Sequence, residues 1–99
     1  MITAVRSFEN EIKTLLKESG VKTFSYMNIM GFKDLSDEPL EANWFASSTG
    51  ERLAVLFYAF VEKTITDEVI AHIEERNSEQ ETLSQIHVAV MDIKRTNKI

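Results

Sequence analysis

The sequence predicts an α+β domain whose elements follow one another in the order β-α-β-β-α-β. Two observations predict it. Two segments place apolar residues at helical spacing, and four others have the apolar, β-branched composition of strands. The chain has 99 residues, of which 43% are hydrophobic and 27% charged, and these values are typical of one globular domain. We therefore treat residues 1–99 as a single domain.

The first half of the chain predicts a strand, a helix and a second strand. Residues 2–5 are apolar and partly β-branched, which favours a short strand. Ser7 is a suitable N-cap for a helix that ends before Gly20, a suitable C-terminal stop. The apolar residues of this helix recur on one face, at Phe8, Ile12, Leu15 and Leu16. Residues 21–30, VKTFSYMNIM, predict the second strand.

The second half predicts a strand, a helix and a last strand. Residues 52–63 form a long strand that is apolar on both faces, with Leu53 and Val55 on one face and Leu56 and Tyr58 on the other. Residues 65–77 form a helix with Thr66 as its N-cap. Residues 84–94, SQIHVAVMDIK, form the last strand, again apolar on both sides.

A long loop separates the second and third predicted strands. It is GFKDLSDEPLEANWFASSTGE, residues 31–51, and it holds the only proline and the only tryptophan of the chain. Loops longer than about 12–15 residues are usually functional or disordered, and Trp is a preferred contact residue at interfaces. We expect Asn43, Trp44 and Phe45 to contact a partner. The alternative is that Trp44 packs on its own protein or begins the third strand early.

The predicted element order is the ferredoxin-like arrangement, with an antiparallel sheet. Right-handed crossovers place both helices on one face of the sheet. The other face is expected to meet water, yet the third and fourth strands carry apolar residues there as well. A contiguous apolar patch of this kind marks an interface. Closed cyclic association, with the bare sheet faces turned inward, is the simplest way to cover it, and we expect a homotrimer.

Composition excludes several classes of protein. The absence of cysteine excludes disulfides and thiolate metal sites and favours a reducing compartment. No segment approaches the about 20 apolar residues of a membrane span, and the first residues do not resemble a signal peptide, so we expect a cytoplasmic protein. The net charge of −5 disfavours nucleic acid as a partner, since phosphate-backbone binding requires a basic surface.

No catalytic motif is present. The sequence has no cysteine nucleophile, no G-x-S-x-G and no H-E-x-x-H pattern. Small phosphatases share the ferredoxin-like topology, but MITAVRSFEN provides no glycine-lined phosphate cradle before the first helix. The sequence therefore predicts a binding protein rather than an enzyme, and it indicates no particular cofactor.

Two histidines were considered as metal ligands. His72 and His87, together with Met27, Met30 and Met91, are side chains that suit a soft metal ion. Their spacing does not resemble a known ligand set, and His72 has no partner ligand four residues away. A structural role is favoured for both histidines, and no metal ligand is assigned.

Two stretches carry a resemblance to a known family. ITAVRSFENEIKTLLKESGVKTFSYMNIMGFKD has a short strand ending in Arg, a helix, and a strand running into Gly-Phe and a long loop. RLAVLFYAFVEKTITDEVIAHIEERN, followed by SQIHVAVMDIK, has a strand, a helix after Thr-Asp, a loop and a strand. Over essentially the whole chain this layout resembles the PII signalling proteins.

The resemblance implies an assembly and a set of sites. PII-like proteins are trimers with inward-facing sheets, with ligands in clefts between subunits, and the long loop contacts a partner that is often a membrane transporter. By position, residues 31–51 are that loop, residues 77–83 the second cleft loop and residues 94–99 the C-terminal one. The implied ligand-binding residues are Gly31, Phe32, Lys33, Lys94 and Arg95. The three cations among them either converge on an anionic ligand at a subunit boundary or are surface charges.

The sequence departs from nucleotide-sensing PII proteins at two places. The second cleft loop, NSEQETL, has no glycine and is acidic, and Leu35 stands where the family has a nucleotide-contacting glutamine. Phosphate binding needs close backbone N–H groups and positive charge, so ATP sensing is not expected. NWFASS is similar to small PII-like proteins that accompany heavy-metal efflux pumps, which implies a small molecule or metal ion as ligand and a metal-efflux transporter as partner. The alternative is a trimeric metal-binding protein similar to CutA, with no signalling role.

Overall fold

The computed structural model describes residues 1–32, 51–79 and 84–97. Its elements are β1 (Ile2–Val5), a 3-10 turn (Arg6–Phe8), α1 (Glu9–Glu18), β2 (Ser25–Phe32), β3 (Glu51–Tyr58), α2 (Lys63–Ser78) and β4 (His87–Val88). The four strands lie in the order β2-β3-β1-β4, and all neighbours are antiparallel. This confirms the predicted α+β class, and the topology is compatible with a ferredoxin-like fold. No helix in the described ranges is long and apolar enough to cross a membrane.

The core lies between the helices and one face of the sheet. β3 is central: Phe57 pairs with Ile2 of β1 on one side and with Tyr26 of β2 on the other. Residues opposite one another in a ladder share a face, so these side chains point the same way. Phe57 stacks on Tyr26 with ring centroids 5.3 Å apart. One apolar cluster joins this face of the sheet to both helices. It consists of Ile2, Ala4, Ile12, Leu15, Leu16, Val21, Val55, Phe57, Val69, Ile73 and Ile86.

The helix starts differ from the sequence prediction. Ser7 lies in the 3-10 turn, and α1 begins two residues later with Phe8 at its N-cap, so the assignment of Ser7 as N-cap was wrong. α2 begins at Lys63, and the carbonyl of Glu62 already accepts from the N–H groups of Ile65 and Thr66. Thr66 therefore lies inside the first turn and donates to the Lys63 carbonyl instead of capping.

The end of α1 follows the prediction. Gly20 has a φ of +93°, a left-handed conformation that glycine adopts without strain. The N–H of Val21 then donates to the carbonyl of Leu16 at 2.9 Å, which satisfies a carbonyl at the helix end. A side chain at position 20 would be disfavoured by this φ value.

The observed bounds of β2 and β3 differ from the predicted ones. The ladder begins at Ser25 and continues to Phe32, so residues 21–24, predicted as strand, lie outside it. Gly31 and Phe32 pair with Arg52 and Glu51, so both ends of the predicted loop 31–51 belong to strands. β3 ends at Tyr58 rather than at residue 63. Leu35, Pro39, Asn43, Trp44, Phe45 and Lys33 lie outside the described residues.

The last strand is much shorter than residues 84–94. Only His87–Val88 form β4, although Ala89 adds two further main-chain bonds to Met1, of 2.8 and 2.9 Å. Residues 90–94 make no main-chain hydrogen bond to another described residue. The segment therefore has the sequence of a strand but no neighbouring strand among the described residues.

The end of α2 is joined to β4 by Asn77. Its side-chain amide donates to the Ile86 carbonyl at 2.8 Å, and its carbonyl oxygen accepts from the Ile86 N–H at 2.9 Å. α2 extends to Ser78, so Asn77 and Ser78 belong to the helix and not to the predicted cleft loop 77–83. Residues 80–83 of that loop lie outside the described residues.

We expect Ile73→Ala to lower the free energy of unfolding by about 2–5 kcal/mol, because Ile73 is fully buried between α2 and the sheet. Urea denaturation followed by circular dichroism measures the change. Glu74→Ala, on the exposed side of the same helix, should stay within about 0.5 kcal/mol of the parent. Equal losses in the two variants would contradict the packing of α2 described above.

Candidate functional site

The face of the sheet away from the helices is apolar. We call it the open face. Its central part is formed by Leu56 and Tyr58 of β3 and by Met27 of β2, which pairs with Leu56. Along β3, Leu56 and Tyr58 alternate with the buried Val55 and Phe57, so they point to the other side of the sheet. Tyr58 keeps an exposed fraction of 41% and Met27 of 47%. The complete open face of the ladder consists of Thr3, Val5, Ser25, Met27, Ile29, Gly31, Arg52, Ala54, Leu56, Tyr58 and His87.

The apolar surface continues past the end of β1. Phe60, Met91 and Ile93 have exposed fractions of 53%, 65% and 52%. They line a cavity of about 530 Å³ together with Met1 and Tyr58. The cavity lies beside Met1, next to the segments that follow β3 and β4. Its volume falls within the range of ligand pockets, about 300–1,000 Å³.

The opposite end of the sheet carries Arg6 and Arg52. Arg52 pairs with Gly31 in the ladder, and Arg6 follows Val5, which pairs with Ala54. The Nε atoms of Arg6 and Arg52 are buried and have no hydrogen-bond partner in the part of the chain that the structure describes. Buried N–H groups are normally hydrogen-bonded, so these two Nε–H groups are suited to donating to an acceptor. The sequence prediction did not include these two residues, although a cation directly after the first strand was a usable signal.

The predicted ligand-binding residues divide between the two ends of the sheet. Gly31 and Phe32 lie at the end that holds Arg6 and Arg52. Lys94 and Arg95 are exposed and follow Met91 and Ile93, which line the cavity near Tyr58 at the other end. The eight pairs of β2 with β3 span about 23 Å at 3.3 Å per residue. The assignments of Gly31, Phe32, Lys94 and Arg95 stay predictions, and one protomer alone does not bring the two groups together.

An ion pair and an aromatic ring join α1 to β2. Lys13 Nζ lies 3.1 Å from a carboxylate oxygen of Glu9 and 3.1 Å from the Tyr26 hydroxyl oxygen, and 4.2 Å from the Tyr26 ring centroid. The hydrogen bond to Tyr26, followed by that to Glu9, raises the pKa of Lys13 above its ordinary value. The contact fixes β2 on the helix side, and the outer edge of β2 has no neighbouring strand among the described residues.

His72 lies between the two helices, next to Ser19. Ser19 Oγ donates to the Leu15 carbonyl at 2.8 Å and lies 2.7 Å from His72 Nδ1. The hydroxyl has one proton, so His72 Nδ1 acts as the donor in the second contact. A general base must accept the proton of its nucleophile, and this imidazole does not. The pair is a structural link between α1 and α2, in agreement with the structural role favoured for His72.

His87 and the acidic residues give no metal site. His87 is exposed on the open face, next to Thr3 in the register of β1 and β4. Within residues 1–32, 51–79 and 84–97, no group of three or more His, Cys, Asp or Glu side chains is placed to hold a metal ion.

Comparison of the sequence with known proteins finds no relative. No model of a protein family matches the chain, and no curated protein matches it.

We expect Ser19→Ala to lower the free energy of unfolding by about 1–2 kcal/mol, because His72 Nδ1 loses its buried partner. Thr14→Ala, an exposed change on the same helix, is the control and should stay within about 0.5 kcal/mol. In the parent protein, ¹⁵N NMR of the neutral imidazole should show the proton on Nδ1. A neutral His72 that carries its proton on Nε2 would contradict this assignment.

Proposed function

We propose that the chain is a self-associating regulatory module of the PII type, a homotrimer that binds a small ligand or metal ion at the boundaries between subunits. The observation that carries the proposal is the open face of the sheet. The resemblance of the sequence to PII signalling proteins adds the number of subunits and the regulatory role.

The open face supports association through its chemistry. It places Met27, Leu56 and Tyr58 side by side in a sheet that the helices cover on the other side only. Burial of apolar surface contributes roughly 25 cal/mol per Å², and exposed apolar patches mark interfaces in soluble proteins. A domain of this size gains substantial stability when a second or third copy covers such a face. Closed cyclic symmetry covers the face in every copy at once.

The ligand part of the proposal follows from the division of cations between the ends of the sheet. Gly31 and Phe32 belong to one end and Lys94 and Arg95 to the other, so a shared site needs a neighbouring copy. The unpaired Nε atoms of Arg6 and Arg52 lie at the first of these ends and favour an anionic ligand. Guanidinium groups suit carboxylate and phosphate oxygens equally. The proposed ligand therefore carries a carboxylate or a phosphate group.

The partner part of the proposal rests on the sequence. Asn43, Trp44 and Phe45 lie in the segment between β2 and β3, and we propose them as the contact with a partner protein, a metal-efflux transporter by resemblance. The alternative is a metal-binding trimer without a signalling role. Metal uptake in a fixed ratio to the trimer, with the mobility of the 33–50 segment unchanged in NMR, favours the alternative. Ordering of that segment when a ligand is added favours the regulatory module.

We expect the protein to be a trimer at micromolar concentration and Leu56→Asp to shift it to monomer, because the carboxylate would be buried in the apolar open face. Size-exclusion chromatography with light scattering measures the mass. Leu53→Asp is the matched control: Leu53 is on the same strand but on the helix side, with an exposed fraction of 55%, and should leave the trimer intact. A monomeric parent protein would overturn the proposal.

We expect no micromolar binding of ATP with magnesium. The residues described or predicted near the clefts include no glycine-rich phosphate cradle, and the 77–83 segment is acidic. Isothermal titration calorimetry on the parent protein checks this, and Arg52→Gln tests whether any weaker heat comes from the arginine end of the sheet. A dissociation constant in the micromolar range would contradict the expectation.

A further inference from the structure

The cavity beside Met1 extends from the surface of the protein down to its core. Its outer wall is formed by exposed side chains, among them Phe60, Met91 and Ile93. Its inner wall is formed by buried members of the apolar cluster, which are Ile2, Leu16, Val21, Phe57 and Val69. Small-molecule sites are concave and lined mainly by apolar side chains, with a few polar groups that orient the ligand. The lining therefore suits the apolar body of a small molecule.

The cavity is separate from the ligand site of the proposed function. It lies where α1 ends and α2 begins, since Leu16, Lys63 and Tyr58 all line it. Arg52 stands near the other end of β3, about 20 Å from Tyr58 along the strand. A ligand in the cavity therefore does not contact Gly31, Phe32 or the arginine end of the sheet.

Two side chains of opposite charge line the cavity. Within the described ranges these are Lys63 and Asp92. Both are exposed, so they stand at the mouth of the cavity rather than at its inner wall. Neither forms an ion pair with another described residue. Taken alone, this pair favours neither an anion nor a cation.

The start of α2 makes the mouth of the cavity suited to an anion. The N–H groups of Ile65 and Thr66 donate to the carbonyl of Glu62. Those of Lys63 and Thr64 have no main-chain partner among the described residues, and the side chain of the N-cap residue does not bond to them. The first N–H groups of a helix and the positive end of its dipole favour negative charge. They act here beside the Lys63 ammonium, at the mouth of an apolar cavity.

We propose that this cavity binds an amphiphilic carboxylate, a small molecule with an apolar tail and one anionic head. The tail packs against the inner wall at Phe57 and Val69, and the carboxylate meets Lys63 and the first N–H groups of α2. Asp92 repels the same carboxylate and lowers the affinity. The inference goes beyond the proposed function, because it requires neither self-association nor the arginine end of the sheet.

Decanoate, used below its micelle concentration, is the probe for the parent protein. We expect saturable binding in isothermal titration calorimetry, and NMR signals of Val69, Ala89 and Met91 should shift during the titration. Acetate has the head without the tail and should leave these signals unchanged at the same concentration. Signals of Arg52 that shift with both probes report the anion site of the proposed function instead. This readout requires no variant.

Charge variants test the head group, with decanol as the neutral counterpart of decanoate. We expect Lys63→Gln to weaken decanoate binding about 2- to 5-fold, the range of an exposed ion pair, and to leave decanol binding unchanged. Asp92→Asn should strengthen decanoate binding about 2-fold, because it removes a like charge. Lys17→Gln is the matched control, since Lys17 is exposed and does not line the cavity.

A larger side chain in the cavity tests the tail. Ala89 lines the cavity and is exposed, so the fold should accommodate Ala89→Leu. We expect this variant to weaken decanoate and decanol alike by about 5-fold or more, because the added carbons occupy volume that the tail needs. Ala71→Leu makes the same change at an exposed site of α2 outside the cavity and should have no effect.

Three results would overturn the proposal. The first is a parent protein that shows no saturable binding of decanoate, or binding whose NMR shifts lie away from the cavity. The second is equal weakening of decanoate and decanol by Lys63→Gln, because the head group would then play no part. The third is unchanged decanoate binding in a folded Ala89→Leu variant. Each leaves the proposed trimer in place, since the mass of the parent protein tests that separately.

Discussion

Strand β3 is apolar on both of its faces, and the rest of the structure depends on that constraint. On one face, Val55 and Phe57 are fully buried against the helices. On the other, Leu56 and Tyr58 stand on a face that the two helices do not cover, and Tyr58 is 41% exposed. A central strand with this composition is typical of sheets that are buried on both sides. The helices cover one side, and the proposed association would cover the second.

The same constraint organises the two ends of the sheet. At one end, the segments that follow β3 and β4 extend the apolar surface to Phe60, Met91 and Ile93 around a cavity. At the other end, β2 and β3 extend beyond β1 and carry Arg52 toward Arg6, where no acidic side chain pairs with either Nε atom among the described residues. The proposed function therefore assigns apolar contact between chains to one end and an anionic ligand to the other. A single protomer keeps them about one strand length apart.

The sequence predicted the order and type of the four strands and two α-helices among the described residues, because helical spacing and strand alternation are strong local signals. Gly20 also ended α1 as expected, since only the left-handed conformation closes the helix there. Ser7 was misassigned as an N-cap because a 3-10 turn precedes α1, and Thr66 was misassigned because α2 already begins at Lys63. Strand lengths failed for a different reason. A strand ends where its neighbour ends, and the neighbours of residues 21–24 and 90–94 are known only from the tertiary structure.

The site was the least predictable part, and the reason is geometric. Gly31 and Lys94 were predicted to share a site because the sequence resembles a family whose clefts lie between subunits. Local sequence patterns do not show whether two side chains meet within one copy or between two copies. Arg6 and Arg52 are 46 positions apart in sequence number and reach the same end of the sheet only through the pairing of β1 with β3. Likewise, the sequence of β2 does not show that this uncharged strand lies at an edge of the sheet. That position is known only from the strand order. An unprotected edge strand persists in a small domain when association covers it. We therefore expect the folding stability of this domain to be coupled to its assembly.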